Sequence, residues 1–251
     1  MCGRYTIIAP PKVLRALFGY EEQPNFPPRY NVAPTQPIPI VRLIDGKRHF
    51  ALVRWGLLPS WVKDPTAFTL LINARGETVA EKPAFRAAMK RRRCLIPADG
   101  FYEWKADGPR KQPYFIRAKA GDPFAFAGLW ETWTGPNGEE LETGTIITTT
   151  ANRTLAAIHG RMPVIVPPDA FDLWLNSADV DPTTASALIA PAPENLLEAF
   201  PVSTDVNRVV NDNPKLVEPV VAGAAPEPKP KPAKRVPAKR AKKTNGQGAL
   251  F

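Results

Sequence analysis

Short apolar runs broken by proline and glycine set the texture of this chain. Runs with strand character are RYTII (4–8), PIPIVRL (37–43), HFALVRWGLL (49–58), RRCLIPADGFYEW (92–104), QPYFIRA (112–118), FAFAGLWE (124–131) and TGTIITTTA (143–151). Helical spacing of apolar positions appears at PPKVLRALFG (10–19), KPAFRAAMKRR (82–92), NRTLAAIH (152–159), PDAFDLWLN (168–176) and ENLLEAF (194–200). Gly19 is placed to stop the first helix. Pro168 and Asp169 suit the opening turn of the fourth. Strands outnumber helices and their order is irregular, which predicts an α+β fold with a mainly antiparallel, curved sheet and interspersed helices.

Composition narrows this picture. The chain has 251 residues, 44% of them apolar, enough for one large core or two small ones. With 30 prolines and 16 glycines, loops rather than long helices are expected. Two cysteines make no disulfide framework, so a reducing compartment, the cytoplasm, is expected. No apolar run approaches the length of a membrane-spanning helix, and no secretory signal pattern opens the chain.

Charge divides the chain in two. The net charge is +9, but residues 226–243 (PEPKPKPAKRVPAKRAKK) alone carry eight Lys/Arg against one Glu. From about Ala222 the sequence is Pro, Ala, Lys and Arg without apolar periodicity, a composition too poor in apolar surface to offset ordering entropy. Residues 1–221 are therefore expected to form the domain and 222–251 a basic disordered tail. Any anion site on the domain must come from the placement of individual arginines, since the bulk of it is nearly neutral.

Several positions carry candidate chemistry. Cys2 follows Met1 directly, and a small second residue favours removal of the initiator. The residue then exposed would hold an α-amine and a thiol, with ordinary pKa values of about 7.7–8.0 and 8.5. Such a 1,2-aminothiol condenses with an aldehyde to a Schiff base, and the sulfur then closes a thiazolidine ring. A structural cysteine at the start of a strand is the competing reading. In INARGE (72–77), Asn73 supplies an amide donor and acceptor and Arg75 a planar cation suited to phosphate, while Gly76 permits close approach; an ordinary polar turn competes. Glu103 lies between Tyr102 and Trp104, an apolar setting that would raise a carboxyl toward acid/base use, unless it faces solvent on its strand. His159 ends a helix at Gly160 with Arg161 next, which suits imidazolium or a satisfied, half-buried ring. His49, Cys94 and Trp55 read as structural, whereas Trp61 follows Pro-Ser in an expected loop, where an aromatic can stack on an unpaired base. The two Cys and two His lack metal-ligand spacing, and no phosphate-binding glycine loop or GxSxG elbow is present, so neither metal nor cofactor is expected.

Together these stretches are more specific than any one. MCGRY, RYNVAPTQ (29–36), RWGLLPSW, NARGET, KPAFR, RRCLIPADGFYEW, FAFAGLWE and IHGRMP, in that order, resemble the SOS response-associated peptidase (SRAP) family, the abasic-site processing proteins that shield damaged single-stranded DNA. The resemblance spans roughly residues 2–210. It implies an α+β fold with strands wrapped into a barrel-like core. It also implies an N-terminal nucleophile at Cys2, an orienting amide at Asn73, an acidic residue at Glu103 that opens the sugar and reverses the link, and a histidine at His159 beside the sugar. Arg4, Arg75 and Arg161 match basic residues that grip the DNA backbone, and Trp61 and Trp104 match aromatics near the DNA. The implied activity is a reversible thiazolidine crosslink between Cys2 and an abasic site. A monomer at the nucleoid, with no membrane partner, is the default expectation.

Two other functions are compatible with the sequence: a thiol peptidase built on Cys2, and a non-enzymatic DNA-binding adaptor that relies on the basic tail. The ending QGALF (247–251) is similar to the Q-x-x-L-F peptides by which bacterial proteins dock on the replication sliding clamp, with Gln247, Leu250 and Phe251 as the anchors.

Overall fold

The computed structural model describes residues 2–107 and 110–221, without the side chains of Asp107 and Arg110. The tail and its clamp-like residues Gln247, Leu250 and Phe251 lie outside the described residues, as does Met1.

Thirteen strands are described: β1 (Tyr5–Ile7), β2 (Arg29–Val32), β3 (Pro37–Ile44), β4 (Lys47–Trp55), β5 (Asn73–Arg75), β6 (Arg93–Ala98), β7 (Gly100–Asp107), β8 (Arg110–Ala118), β9 (Phe124–Thr134), β10 (Glu140–Thr150), β11 (Arg161–Pro163), β12 (Ile165–Val166) and β13 (Leu197–Pro201). The α-helices are short: α1 (Pro11–Phe18), α2 (Arg86–Arg91), α3 (Arg153–Ala156), α4 (Phe171–Leu175) and α5 (Pro182–Ser186). One sheet runs β13-β8-β7-β1-β2. The other contains the run β10-β4-β3-β6-β9, and pairing of β9 with β10 closes that run into a five-stranded barrel. Neighbours are antiparallel except where β10 meets β4 and β5 in parallel. The fold is thus α+β with a barrel-like, mostly antiparallel core.

Closure removes the exposed edges that a sheet of this size would otherwise carry. The interior is packed with aromatic rings at favourable angles: Tyr5 meets Trp55 edge-on at 5.4 Å and Phe126 at 6.0 Å. Trp55 is fully buried and its indole N–H donates to the Ile72 carbonyl at 2.9 Å, so its polar atom is not stranded.

Local signals behave as their chemistry predicts. Gly19 closes α1 in the left-handed conformation (φ 70°) and its N–H donates to the Arg15 carbonyl. The Asn152 side chain caps α3 by accepting from the Leu155 N–H. Pro168 opens a 3₁₀ turn, Pro168–Ala170, that leads into α4.

Three expectations are corrected. Residues 194–200 hold no helix; Leu197–Pro201 is a strand paired with β8 from Leu197↔Ala118 to Pro201↔Tyr114. Leu197 and Ala199 pack on the main core and Phe200 on a second cluster, an alternation that the apolar run satisfies as well as a helical one. The run 92–104 is two strands, since β6 lies in the barrel and β7 in the other sheet. Asp99, between them, accepts the backbone N–H groups of Ile8 and Ala9, which ties the crossover to the end of β1. The predicted helix 82–92 is confined to Arg86–Arg91.

Candidate functional site

β1 and β7 are neighbours, with Tyr5 opposite Phe101, and the Tyr102 N–H donates to the Arg4 carbonyl at 3.0 Å. That pairing sets Glu103 against the residues preceding β1. Cys2 is fully buried there, with its thiol 3.8 Å from the Arg4 carbonyl. β5 reaches the same place by pairing in parallel with β10, Asn73 opposite Ile146. Asn73 uses its Nδ2 to donate to the Cys2 carbonyl at 2.9 Å, while its Oδ1 is buried and accepts nothing among the described residues. His159 follows α3, and its Nδ1 lies 3.9 Å from Glu103 Oε1. The same Nδ1 is 3.0 Å from the Arg161 backbone N–H, which orients the ring. Four residues spread from position 2 to position 159 are thereby assembled from both sheets: ahead of β1, at the start of β5, within β7 and just before β11.

Burial controls the electrostatics. Glu103 is 4% exposed, and removal from water pushes its carboxyl above the usual range, with His159 pulling it part of the way back. The Cys2 thiol is pushed well up, first by burial and then by the negative charge of Glu103. The pair therefore favours a neutral thiol and a carboxyl that holds its proton to higher pH than an exposed one. Cys94, also fully buried, is raised by burial as well and sits within the barrel wall on β6, opposite Gly128. It has the character of a core residue.

The basic residues differ in their commitments. Arg4 is half-buried: Nη1 donates to Asn31 Oδ1 (2.9 Å) and the Val206 carbonyl (2.8 Å), and Nη2 to the Asn207 carbonyl (3.4 Å). It is tied into the segment 203–213. Arg161 forks onto Glu77 at 3.0 and 2.9 Å. Arg75 is exposed at the end of β5, opposite Thr148 of β10, and its charge acts on the nearby Glu77 carboxyl. Trp104 is half-buried and donates from Nε1 to Asn207 Oδ1 at 2.7 Å. Trp61 is 57% exposed on the connection from β4 to β5, edge-on to Phe68 at 5.7 Å, and touches none of the four central residues. Among the described residues no group of three or more His, Cys, Asp or Glu is placed to hold a metal ion. No helix among them is long and apolar enough to cross a membrane.

Sequence reasoning passed over Asn31, Glu77 and Asn207. Asn31 is fully buried, and its Nδ2 donates to the carbonyls of Val206, Arg208 and Asn211 while its Oδ1 holds Arg4. The signal was present: a lone amide inside an apolar strand, RYNV, must find partners when buried. Gly76 was read as permitting ligand approach. The close neighbours here are protein: a Cβ would lie 2.2 Å from Ile189 Cγ2 and 3.2 Å from the Thr148 carbonyl.

Comparison with known proteins adds an independent line. A family model described as SOS response associated peptidase (SRAP) matches residues 1–209. The chain is 41% identical over 222 residues to the abasic site processing protein YoqW of Bacillus subtilis (strain 168), covering 87% of this chain and 99% of that protein. It is 35% identical over 274 residues to the abasic site processing protein HMCES of Gallus gallus, covering 91% and 81%. A crystal structure of a protein from Bacteroides thetaiotaomicron superposes with a TM-score of 0.80 at 28% identity, covering 88% of this chain and all of that one (100%).

Proposed function

The chain belongs to the SOS response associated peptidase (SRAP) family, and on that premise we propose that it processes abasic sites in single-stranded DNA by covalent capture through Cys2. Relatives named for abasic site processing support the substrate. The observation that carries the mechanism is the convergence of Asn73 and Glu103 on Cys2, with His159 3.9 Å from the Glu103 carboxyl.

The chemistry follows from the groups present. An abasic deoxyribose is mostly a closed hemiacetal and must open to show its aldehyde. Glu103, kept by burial toward its protonated form, donates to the ring oxygen, with His159 beside it to share the proton. Removal of Met1 frees the Cys2 amine, which attacks the aldehyde carbon; loss of one water gives the imine. The thiol then adds across the C=N bond, its proton passes to nitrogen, and the thiazolidine closes. Ring closure consumes the imine that would otherwise promote β-elimination and strand cleavage. Glu103, by returning a proton to the ring, also serves the reverse reaction.

Asn73 fixes the Cys2 peptide so that amine and thiol face one direction. Arg75 and Arg161 stand on either side of β10, opposite Thr148 and Thr150 respectively, where they hold backbone phosphates. Arg4 positions the strand from beneath through Asn31. The tail, through Gln247, Leu250 and Phe251, recruits the sliding clamp, and the protein works as a monomer at the nucleoid. The test is crosslinking of abasic single-stranded DNA on a denaturing gel, in which Cys2→Ala forms no adduct. Equal adduct from that variant rejects the mechanism.

A further inference from the structure

Arg161 is fully engaged before any nucleic acid arrives. Its Nη1 and Nη2 meet the two oxygens of Glu77 at 3.0 and 2.9 Å, its Nη2 also reaches the Thr148 carbonyl at 2.7 Å, and its Nε the Thr148 hydroxyl at 3.3 Å. A planar guanidinium offers the same fork to a carboxylate and to two oxygens of a phosphate, so the two anions compete for one set of donors. The contacts to Thr148 come from the protein's own strand and leave the outward fork as the exchangeable part. The Arg161 side chain is 16% exposed and that of Glu77 45%, so solvent reaches the carboxylate side of the pair.

The placement of Glu77 is built in. It sits in the 3₁₀ turn Gly76–Thr78, which follows β5 directly. Gly76 in that turn packs between Ile189, which follows α5, and β10: a Cβ there would lie 2.2 Å from Ile189 Cγ2 and 3.2 Å from the Thr148 carbonyl oxygen. Arg75, one residue earlier, is exposed, and its charge acts on the Glu77 carboxyl as well, after the direct bond from Arg161.

We propose that Glu77 is a resident competitor for Arg161, a specificity-determining carboxylate that a DNA backbone phosphate must displace before the strand seats beside Glu103 and His159. The inference rests on the reading of the chain as a protein that holds single-stranded DNA. An exposed ion pair is weak enough for a phosphodiester to break, which limits the penalty to about two- to fivefold in affinity. Its removal leaves Arg161 free to take the same phosphate without breaking the ion pair first.

The experiment measures the affinity of the full chain for an undamaged single-stranded oligonucleotide across salt concentrations. Glu77→Gln is expected to bind about two- to fivefold tighter, with a log–log salt slope steeper by about 0.7, because no released carboxylate then takes up a cation to offset the one the phosphate gives off. Arg161→Ala is expected to erase the gain when combined with Glu77→Gln. Glu81→Gln, the same charge change four residues along the chain, is expected to change binding less. Thermal melting of each variant reports whether the fold is intact. Weaker or unchanged binding by Glu77→Gln overturns the proposal, since Glu77 would then be holding Arg161 in its working position. An equal gain in the Arg161→Ala background, or from Glu81→Gln, overturns it in favour of bulk charge. A wild type with no affinity for the oligonucleotide overturns the DNA reading itself, a failure visible before any variant is compared.

Discussion

The Asn73 side-chain amide donates to the Cys2 carbonyl oxygen at 2.9 Å, across 71 positions of sequence. This bond fixes the peptide next to the reacting residue rather than the reacting atoms themselves. Asn73→Ala is therefore expected to slow capture of an abasic oligonucleotide by about tenfold or more, the cost of losing orientation, while a single neutral hydrogen bond changes stability by only about 1 kcal/mol. Single-turnover crosslinking and urea titration separate the two; a capture rate equal to wild type removes Asn73 from the mechanism.

Glu103 carries a stability signature with a definite sign. Burial raises its carboxyl in the folded state, so the fold binds more protons than the unfolded chain as pH rises past the ordinary carboxyl range. Stability is consequently lost, not gained, as pH climbs through the interval between the unfolded and the raised folded value. Glu103→Gln is expected to melt higher than wild type at pH 7, and the difference should shrink toward pH 4, where the unfolded carboxyl is also protonated. The same variant should lose capture rate by about 10²- to 10⁴-fold, the span of a positioned acid/base. A Gln variant that melts lower at pH 7 contradicts the burial argument.

Asn31, on β2, links Arg4 and the segment 203–213 through four hydrogen bonds at one amide. Replacing it by Ala takes the partner from the Asn211 carbonyl and from one Arg4 N–H, while the Val206 carbonyl keeps Arg4 and the Arg208 carbonyl keeps the Asn211 N–H. Asn31→Ala is expected to cost about 2–4 kcal/mol in urea denaturation and to weaken DNA retention through Arg4. A cost below about 0.5 kcal/mol, the range of ordinary surface changes, would mean that the segment is not held by this residue.

Gly100 begins β7 three residues before Glu103, and a Cβ there would lie 2.4 Å from the Phe115 ring and 2.7 Å from the Ile116 carbonyl oxygen. The carbonyl belongs to a paired strand and has little room to give. Gly100→Ala is expected to destabilise by about 1–3 kcal/mol through overpacking, and to reduce capture because β7 carries the acid. Circular dichroism melting together with gel crosslinking tests both halves.

Much of the fold was legible where the local chemistry was unambiguous. Short apolar runs bounded by proline and glycine located the barrel strands, Gly19 stopped α1 in the left-handed conformation, and the mixed strand and helix pattern indicated α+β. The failures share one cause. Residues 194–200 fit a helical stripe and a strand equally well, and only the β8 edge, more than 70 residues earlier, decides between them. The break at Asp99 depends on the N–H groups of Ile8 and Ala9, just past β1, which no local window contains. For the site, residue types were readable at Cys2, Asn73, Glu103 and His159, because each is a reactive group in an apolar or glycine-containing stretch. Pairings were not: that Arg161 is held by Glu77 and Arg4 by Asn31 follows from strand order, which brings distant segments together.

The most direct measurement is the intact mass of the purified protein before and after incubation with a single-stranded oligonucleotide carrying one abasic site. The account predicts a starting mass without Met1 and a product equal to protein plus oligonucleotide minus one water, absent in Cys2→Ala. Retained Met1, or an unchanged mass after incubation, would contradict covalent capture through the Cys2 amine.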